Sequence, residues 1–300
     1  RRAARRGNQQ PEMTYNKLKA ALSAAGIGDA QECRREAELL IEAFGGIKAS
    51  ELPFRCSEDI SSPALDDAVR RRIAREPLQY ILGEWEFFGL DLYVTPDCLI
   101  PRPDTEITVE AAIKLLPRGA RFADLGTGSG AIAVSVLKNR HDLHCIAVDI
   151  SPAALRVAQK NAARHGVDRR CDFVCADMLG DGIFDLLSCP LGAVISNPPY
   201  IPACDLTPDK IQPELEYEPR GALVGGDDGL VFYRSLIPRA AKPGVLAPGG
   251  MLIFEVGIGE ARDVAAMGAA AGYSASLLND LNGIERTVVL TLNGSQKDTY

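Results

Sequence analysis

Four consecutive residues, Asn197-Pro198-Pro199-Tyr200, follow directly on the apolar, β-branched run Ala193-Val-Ile-Ser196. Proline has no backbone N–H and a fixed φ, so two in succession make a stiff bend whose backbone polarity is carbonyl alone. Beside that bend stand one side-chain amide and one aromatic ring. The Asn197 side-chain oxygen and the Pro198 carbonyl can each accept an N–H from a planar NH₂ group, with Tyr200 against its face. Such a clamp aims a weakly nucleophilic nitrogen at an electrophile, which is catalysis by orientation rather than by a base. Hydride transfer has no use for it. Ordinary strand termination accounts for one proline, not for the tetrad.

A second stretch, Asp124-Leu-Gly-Thr-Gly-Ser-Gly130, lies between an apolar strand and a helix. Glycines let a backbone turn tightly and approach a ligand at a helix N-terminus. Gly126, Gly128 and Ala131 also satisfy the G-x-G-x-x-A form of the dinucleotide fingerprint, and a structural turn fits the same residues. Asp149 ends the next strand, where it can accept from both hydroxyls of a ribose or cap the turn into Ser151-Pro152. Asp177 ends the strand after that. Together these acids and glycines point to an adenosine-containing cofactor, NAD or S-adenosylmethionine, and the tetrad favours the methyl donor.

The elements that must position these groups can be read from hydropathy. Short apolar strands at RFADLG, LHCIAVDI, CDFVCAD, GAVISN and MLIFEVG alternate with helical runs, which predicts βαβ units and a mostly parallel sheet. YSASLLND and RTVVLTL are joined by a turn too short for a helical crossover, so at least one of them runs antiparallel. Ahead of this α/β region, EWEFFGL and LDLYVT alternate around Gly89 as a β-hairpin, and a helix starts at Asp104. Residues before Glu76 read as helices: Cys33, Ala37, Leu40, Ile41 and Phe44 share one face, stopped by Gly45-Gly46, and Ser62-Pro63 opens another helix running to Glu76. The run Arg70-Arg71-Arg72 reads as a solvated helix face. The expected organisation is therefore an extension over 1–12, a helical domain over 13–76, a hairpin linker over 77–103 and a catalytic domain over 104–300.

Composition narrows the function classes. At 300 residues and 46% hydrophobic content the chain can bury a large core, and no apolar run reaches membrane-spanning length. Formal net charge is −7. Residues 1–12 hold four Arg and one Glu, which leaves −10 for the remainder. That balance argues against broad phosphate-driven binding of nucleic acid. The basic extension has no apolar core and so is not a secretory signal; it is expected to be a disordered lead-in before Met13, although its arginines also resemble a transit segment. The eight cysteines form no C-x-x-C pair and are expected to be reduced thiols in a cytoplasmic protein without a metal site. His141, His144 and His165 fall at helix ends and strand starts, away from the tetrad.

DLGTGSG, the acid at Asp149 and NPPY together resemble the class I S-adenosylmethionine-dependent methyltransferases that act on planar nitrogens. FFGLDLYV followed by LIPRPDTE is similar, more narrowly, to the hairpin and Pro-Arg-Pro element of the protein-(glutamine-N5) methyltransferases of the HemK/PrmC type. The resemblance extends over nearly all of the chain after Met13. It implies a Rossmann-like seven-stranded sheet with an antiparallel strand near the C-terminus, preceded by a helical domain that recognises the protein substrate. It implies Gly126, Thr127, Gly128, Ser129 and Gly130 around S-adenosylmethionine, Asp149 on its ribose, Asp177 and Met178 beside its adenine, and Asn197 in contact with the cofactor as well as the substrate. Met178 stands where some relatives have an aromatic residue, so apolar packing replaces stacking there. Asn197, Pro198, Pro199 and Tyr200 would hold the substrate glutamine, with Phe88 and Arg102 lining its pocket. The family methylates the glutamine of the Gly-Gly-Gln loop of peptide chain release factors. Alternatives sharing the tetrad are glutamine methylation of a ribosomal protein and methylation of adenine N6 or guanine N2 in nucleic acid.

Overall fold

A computed structural model of the chain describes residues 12–187 and 190–293. The basic extension up to Pro11 and Cys189 lie outside the described residues. The chain divides between Gly83 and Glu84 into two compact units.

The first unit is helical, and its helices begin on side chains that satisfy free N–H groups. Thr14 accepts from Lys17 N at the start of α1 (Tyr15–Ala24). Asp29 accepts from Gln31 and Glu32 at the start of α2 (Ala30–Leu40), and Ser62 accepts from Leu65 at the start of α3 (Pro63–Ile73). Cys33, Ala37, Leu40 and Ile41 are buried, as their spacing requires. Phe44 is only half-buried, because the backbone widens into a π turn over Ile41–Gly45 and shifts the phase of the face before left-handed Gly46. α3 stops at Ile73, short of Glu76, with Arg75 in the left-handed region at φ 73°. Leu78–Leu82 then forms α4, which closes on Gly83, so the helical unit runs past Glu76.

The expectation of a solvated arginine face is corrected at Arg72. Its side chain is only 5% exposed and makes two hydrogen bonds to the Glu36 carboxylate, at 2.7 and 3.0 Å. Arg71 pairs with Glu76, while Arg70 is exposed. Run composition could not reveal this, because Arg72 lies one helical turn beyond buried Ala68 and Val69 on the inward edge of α3.

The second unit opens with the hairpin β1 (Glu84–Phe87) and β2 (Leu90–Tyr93), turned by Phe88-Gly89 at φ 52° and 71°. The rest alternates: α5 (Thr105–Leu115), β3 (Arg121–Leu125), α6 (Ala131–Asn139), β4 (His144–Asp149), α7 (Pro152–Arg164), β5 (Cys171–Cys175), α8 (Ile183–Leu186), β6 (Leu191–Ser196), α9 (Val231–Ala240), β7 (Leu246–Glu255), α10 (Ala261–Ala270), β8 (Tyr273–Asn279) and β9 (Glu285–Leu292). Seven strands form one sheet in the order β5-β4-β3-β6-β7-β9-β8. β3 to β7 run parallel, and β9 is antiparallel to both β7 and β8. This is the α/β class expected from the alternation.

Successive residues of the central strands serve opposite cores. Phe122, Cys145, Ala193 and Ile253 join α5 and α6 on one face, while Ala123, Ile146, Val194 and Leu252 join α9 and α10 on the other. β6 is buried at every position, so it reads as continuous apolar sequence rather than alternation. No helix among the described residues is long and apolar enough to cross a membrane.

Breaking the Arg72–Glu36 pair by Arg72→Ala removes two hydrogen bonds from a buried carboxylate. Urea unfolding of the full chain is expected to show a loss of about 3 to 5 kcal/mol. A change under about 1 kcal/mol would show that the pair is effectively solvated.

Candidate active site

β3 and β6 are neighbours in the sheet, yet the chain leaves β3 for α6 on one face and leaves β6 toward α9 on the other. That reversal opens a crevice at the carboxyl end of the strands, where doubly wound folds bind ligands. Both sequence-predicted stretches sit at it.

The glycine loop is tied back to the neighbouring strand, with Gly126 N and Thr127 N both donating to the Val148 carbonyl at 2.8 and 2.9 Å. Gly126 and Gly128 have φ of 73° and 55°, and a Cβ on Gly126 would lie 2.7 Å from the Met178 methyl. Side chains are thus excluded where the loop faces the crevice. Asp149 braces the same loop: its Oδ2 accepts from Gly128 N at 2.8 Å and its Oδ1 from Ser151 N at 2.9 Å. The turn-capping reading of Asp149 is the one these bonds show, and a carboxylate with about four lone-pair sites has acceptors to spare beyond them. Asp177 is exposed and accepts from Leu179 N.

Thr127 and Ser129 point inward instead. The Thr127 hydroxyl donates to Oδ2 of fully buried Asp124 at 2.6 Å, and Ala133 N reaches the same oxygen at 3.2 Å. Burial pushes the Asp124 carboxyl up to about 7, against those two bonds. The Ser129 carbonyl accepts from Asn161 Nδ2 at 2.8 Å. Asn161, fully buried in α7, also bonds the Tyr93 N–H at 2.7 Å and the Tyr93 carbonyl at 3.0 Å. One side chain therefore ties the hairpin to the glycine loop.

Two cavities occupy the crevice. One of about 400 Å³ is lined by Gly126, Gly128, Asp149, Asp177, Met178 and Asn197, with Ile150, Ala154, Ala176 and Phe232 as apolar wall. Thr127, Ser129 and Gly130 do not line it. A second, of about 350 Å³, is lined by Arg102, Asn197, Tyr200 and Glu218 among others. Leu99, Asn197 and Ala222 belong to both. Pro199 lines the first cavity, Pro198 lies buried beneath, and Phe88 lines neither. Phe88 is spent on the hairpin turn, where its N–H donates to Glu106 and its ring packs toward the α5–α6 core.

The tetrad is held from several sides. Asn197 Nδ2 donates to the hydroxyl of buried Thr105 at 3.2 Å, which leaves its Oδ1 as the acceptor. The Tyr200 hydroxyl reaches Glu255 Oε1 at 3.5 Å, and burial raises its pKa. Ile201 and Ala203 are stapled to the Leu223–Gly226 segment by backbone bonds of 2.8 to 2.9 Å. At Gly225 a Cβ would fall 2.7 Å from the Pro199 carbonyl oxygen, so only glycine lets that segment close on the bend. Across the second cavity, Glu218 accepts from Ile100 N at 3.1 Å and pairs with Arg102.

Thr105, Asn161, Glu218 and Glu255 escaped the sequence reading. Glu255 carried a usable signal: like Asp149, it is an acid ending an otherwise apolar parallel strand. The three histidines stay clear of the site, with His144 starting β4 and His165 capping α7 against the Asp91 carbonyl. Cys33, Cys98, Cys145 and Cys171 are buried, whereas Cys175 and Cys204 are exposed. Among the described residues no group of three or more His, Cys, Asp or Glu side chains is placed to hold a metal ion.

Comparison with known proteins covers both units. The family model of the PrmC N-terminal domain matches residues 14–83, and that of the methyltransferase small domain matches residues 106–215. A release factor glutamine methyltransferase of Geobacter sulfurreducens is 44% identical over 86% of this chain and 89% of its own length. One of Moorella thermoacetica is 39% identical over 90% of this chain and 95% of its own length. Among solved structures, a methyltransferase from Pyrococcus furiosus shares the fold at a TM-score of 0.52 and 18% identity, over 76% of this chain and 98% of its own. Identity of this order over both units shows that the chain belongs to the release factor glutamine methyltransferases.

Proposed function

We propose that the chain methylates the side-chain amide nitrogen of the glutamine in the Gly-Gly-Gln loop of a peptide chain release factor, and that the crevice between β3 and β6 does the work. The observation that carries the site assignment is Asn197 on the seam of two cavities with its nitrogen already engaged by Thr105. The methyl donor is S-adenosylmethionine, which supplies a methyl group on a positively charged sulfur. The larger cavity suits it: two glycines at positive φ, an acid at the end of β4, and an apolar wall for a planar base. In this reading Gly126 and Gly128 admit the donor's main chain, Asp149 accepts from its ribose, and Asp177 and Met178 flank its adenine. Thr127, Ser129 and Gly130 shape the loop from behind.

The second cavity takes the glutamine. An amide nitrogen shares its lone pair with its carbonyl and attacks reluctantly, so orientation has to supply much of the acceleration. Asn197 Oδ1 accepts one N–H. The second acceptor in this reading is the Pro198 carbonyl, to which no described group donates, although the residue is buried and borders neither cavity. Tyr200 covers the amide face, and Arg102, held by Glu218, closes the far side. With the donor bound, the glutamine nitrogen aimed by these groups would take its methyl group, leaving the bond pair on the sulfur, and one N–H proton would pass to solvent. The crevice's part is to hold that nitrogen in line and to keep bulk water away from the dispersing charge.

A release factor is favoured over a ribosomal protein or a nucleic-acid amine by the names of the relatives matched along most of the chain. The net charge of −7 supports a protein rather than a nucleic-acid substrate. We place the enzyme in the cytoplasm on the strength of that substrate.

Two substitutions separate the roles. Asn197→Ala is expected to abolish labelled-methyl transfer to a release factor while calorimetry still shows cofactor binding; equal loss of both would remove the clamp. Asp149→Ala is expected to weaken cofactor affinity roughly tenfold to a hundredfold, as the loss of charge-assisted hydrogen bonds implies. Unchanged affinity would take Asp149 out of the site.

A further inference from the structure

Between β6 and α9 the chain makes a long excursion. Its neck is closed where Ile201 N donates to the Leu223 carbonyl and Gly225 N to the Ile201 carbonyl, both at 2.9 Å. Within it, Ile211 N turns back to the Thr207 carbonyl at 3.1 Å, and Leu215 N reaches the Gln212 carbonyl at 3.0 Å on entering a 3₁₀ turn over Pro213–Tyr217. The excursion encloses a third cavity, of about 280 Å³, whose apolar wall is Leu206, Pro208, Ile211, Leu215 and Leu223. Leu206, Ile211, Leu215 and Leu223 belong to neither of the cores packed on the sheet. Apolar side chains that served only to staple a loop would close on one another, as interiors do. These leave a space between them.

Leu215, Glu218 and Leu223 also line the cavity given above to the glutamine, so the two are divided by a common wall. The third cavity shares no lining residue with the donor cavity. It therefore lies on the acceptor's side of the site. Its polar lining does not select a charge. Glu218 is engaged by Ile100 N and Arg102, while Glu216 and Arg220 are exposed and opposite in sign. What such a space can take out of water is an apolar side chain.

We infer that the third cavity is a specificity subsite for the protein substrate, and that it seats an apolar side chain two residues after the methylated glutamine. The inference rests on the neighbouring cavity being the glutamine site. In an extended chain the side chains of residues i and i+2 point the same way, roughly 6 to 7 Å apart, and that of i+1 points to the opposite side. Two cavities with a common wall suit such a pair. On the N-terminal side, the residue two before the glutamine of a Gly-Gly-Gln loop is glycine, which has no side chain to insert. The occupant is therefore on the C-terminal side. The closed neck and the Glu218 contacts hold the excursion in place before the substrate arrives, so seating costs little ordering of the enzyme. An anchor just beyond the glutamine fixes how that residue enters the clamp.

The test is a release factor series with Gly, Ala, Val, Leu or Asp two residues after the glutamine. Each member would be methylated by the full chain and by its Ile211→Trp and Ile211→Ala variants, with kcat/KM as the readout. The wild-type chain is expected to prefer Val or Leu over Gly roughly 10- to 100-fold, the scale of burying a branched side chain, and to disfavour Asp at least as strongly as Gly. Ile211→Trp fills the cavity and should reduce that preference to under about threefold. Ile211→Ala enlarges it and should move the optimum toward Leu. Calorimetry should find cofactor affinity within about twofold in both variants, as expected of a cavity with no wall on the donor. A flat series with the wild-type chain would overturn the inference and leave the cavity to another occupant, a second copy of the chain or one of its tails. An undiminished preference in Ile211→Trp would also overturn it, because selectivity would then reside elsewhere. Failure of the wild-type chain to methylate any member, the unaltered release factor included, would instead bring down the glutamine-site reading, and the subsite with it. Should Ile211→Trp fail to fold, the wild-type series and Ile211→Ala decide.

Discussion

A parallel sheet whose strands send their chains to opposite faces cannot close over its own carboxyl edge where the direction changes. In this enzyme the change falls between β3 and β6. The glycine loop follows one of these strands and the proline bend follows the other, so two segments some 70 residues apart in sequence meet without either needing to be long. The remaining features serve that meeting. Asp149 and Val148 brace the loop from β4, and Thr105 and Glu255 support the bend from α5 and β7. Asn161 fastens the hairpin to the loop.

The fold was legible because its signals are collective. Apolar strands alternating with amphipathic helices leave few arrangements, and a turn too short for a crossover required the antiparallel strand that β9 provides. The loop and the tetrad were legible for a different reason: glycine and proline act on the backbone within a few residues, so their effect does not wait on tertiary contacts. Where an assignment depended on which way a side chain turns, local sequence was silent. Thr127 and Ser129 sit in the loop yet face the interior, and Phe88 adjoins the site in sequence yet is consumed by a hairpin turn.

Three supporting roles stayed hidden because the partners are distant. Asn161 lies among alanines in α7 and bonds Tyr93, 68 residues away. Glu218 meets Ile100 and Arg102 across more than 110 positions. Arg72 looked like part of a solvated cluster until Glu36 was found beneath it. Polar groups of this kind are tolerated in the interior only when paired, so each marks a place where two distant segments must agree in register. Composition registers that a charge exists, and only the folded chain says against what it is set.

Leu99, Asn197 and Ala222 face both cavities, and this has a consequence for engineering. With a common partition, space cannot be granted to one guest without being taken from, or opened to, the other. Trimming Leu99 to admit a bulkier acceptor would also unmake part of the donor's enclosure and let water in beside it. A redesign for new acceptors is better begun at the outer side, around Gln212 and Leu215, where the second cavity has a border of its own.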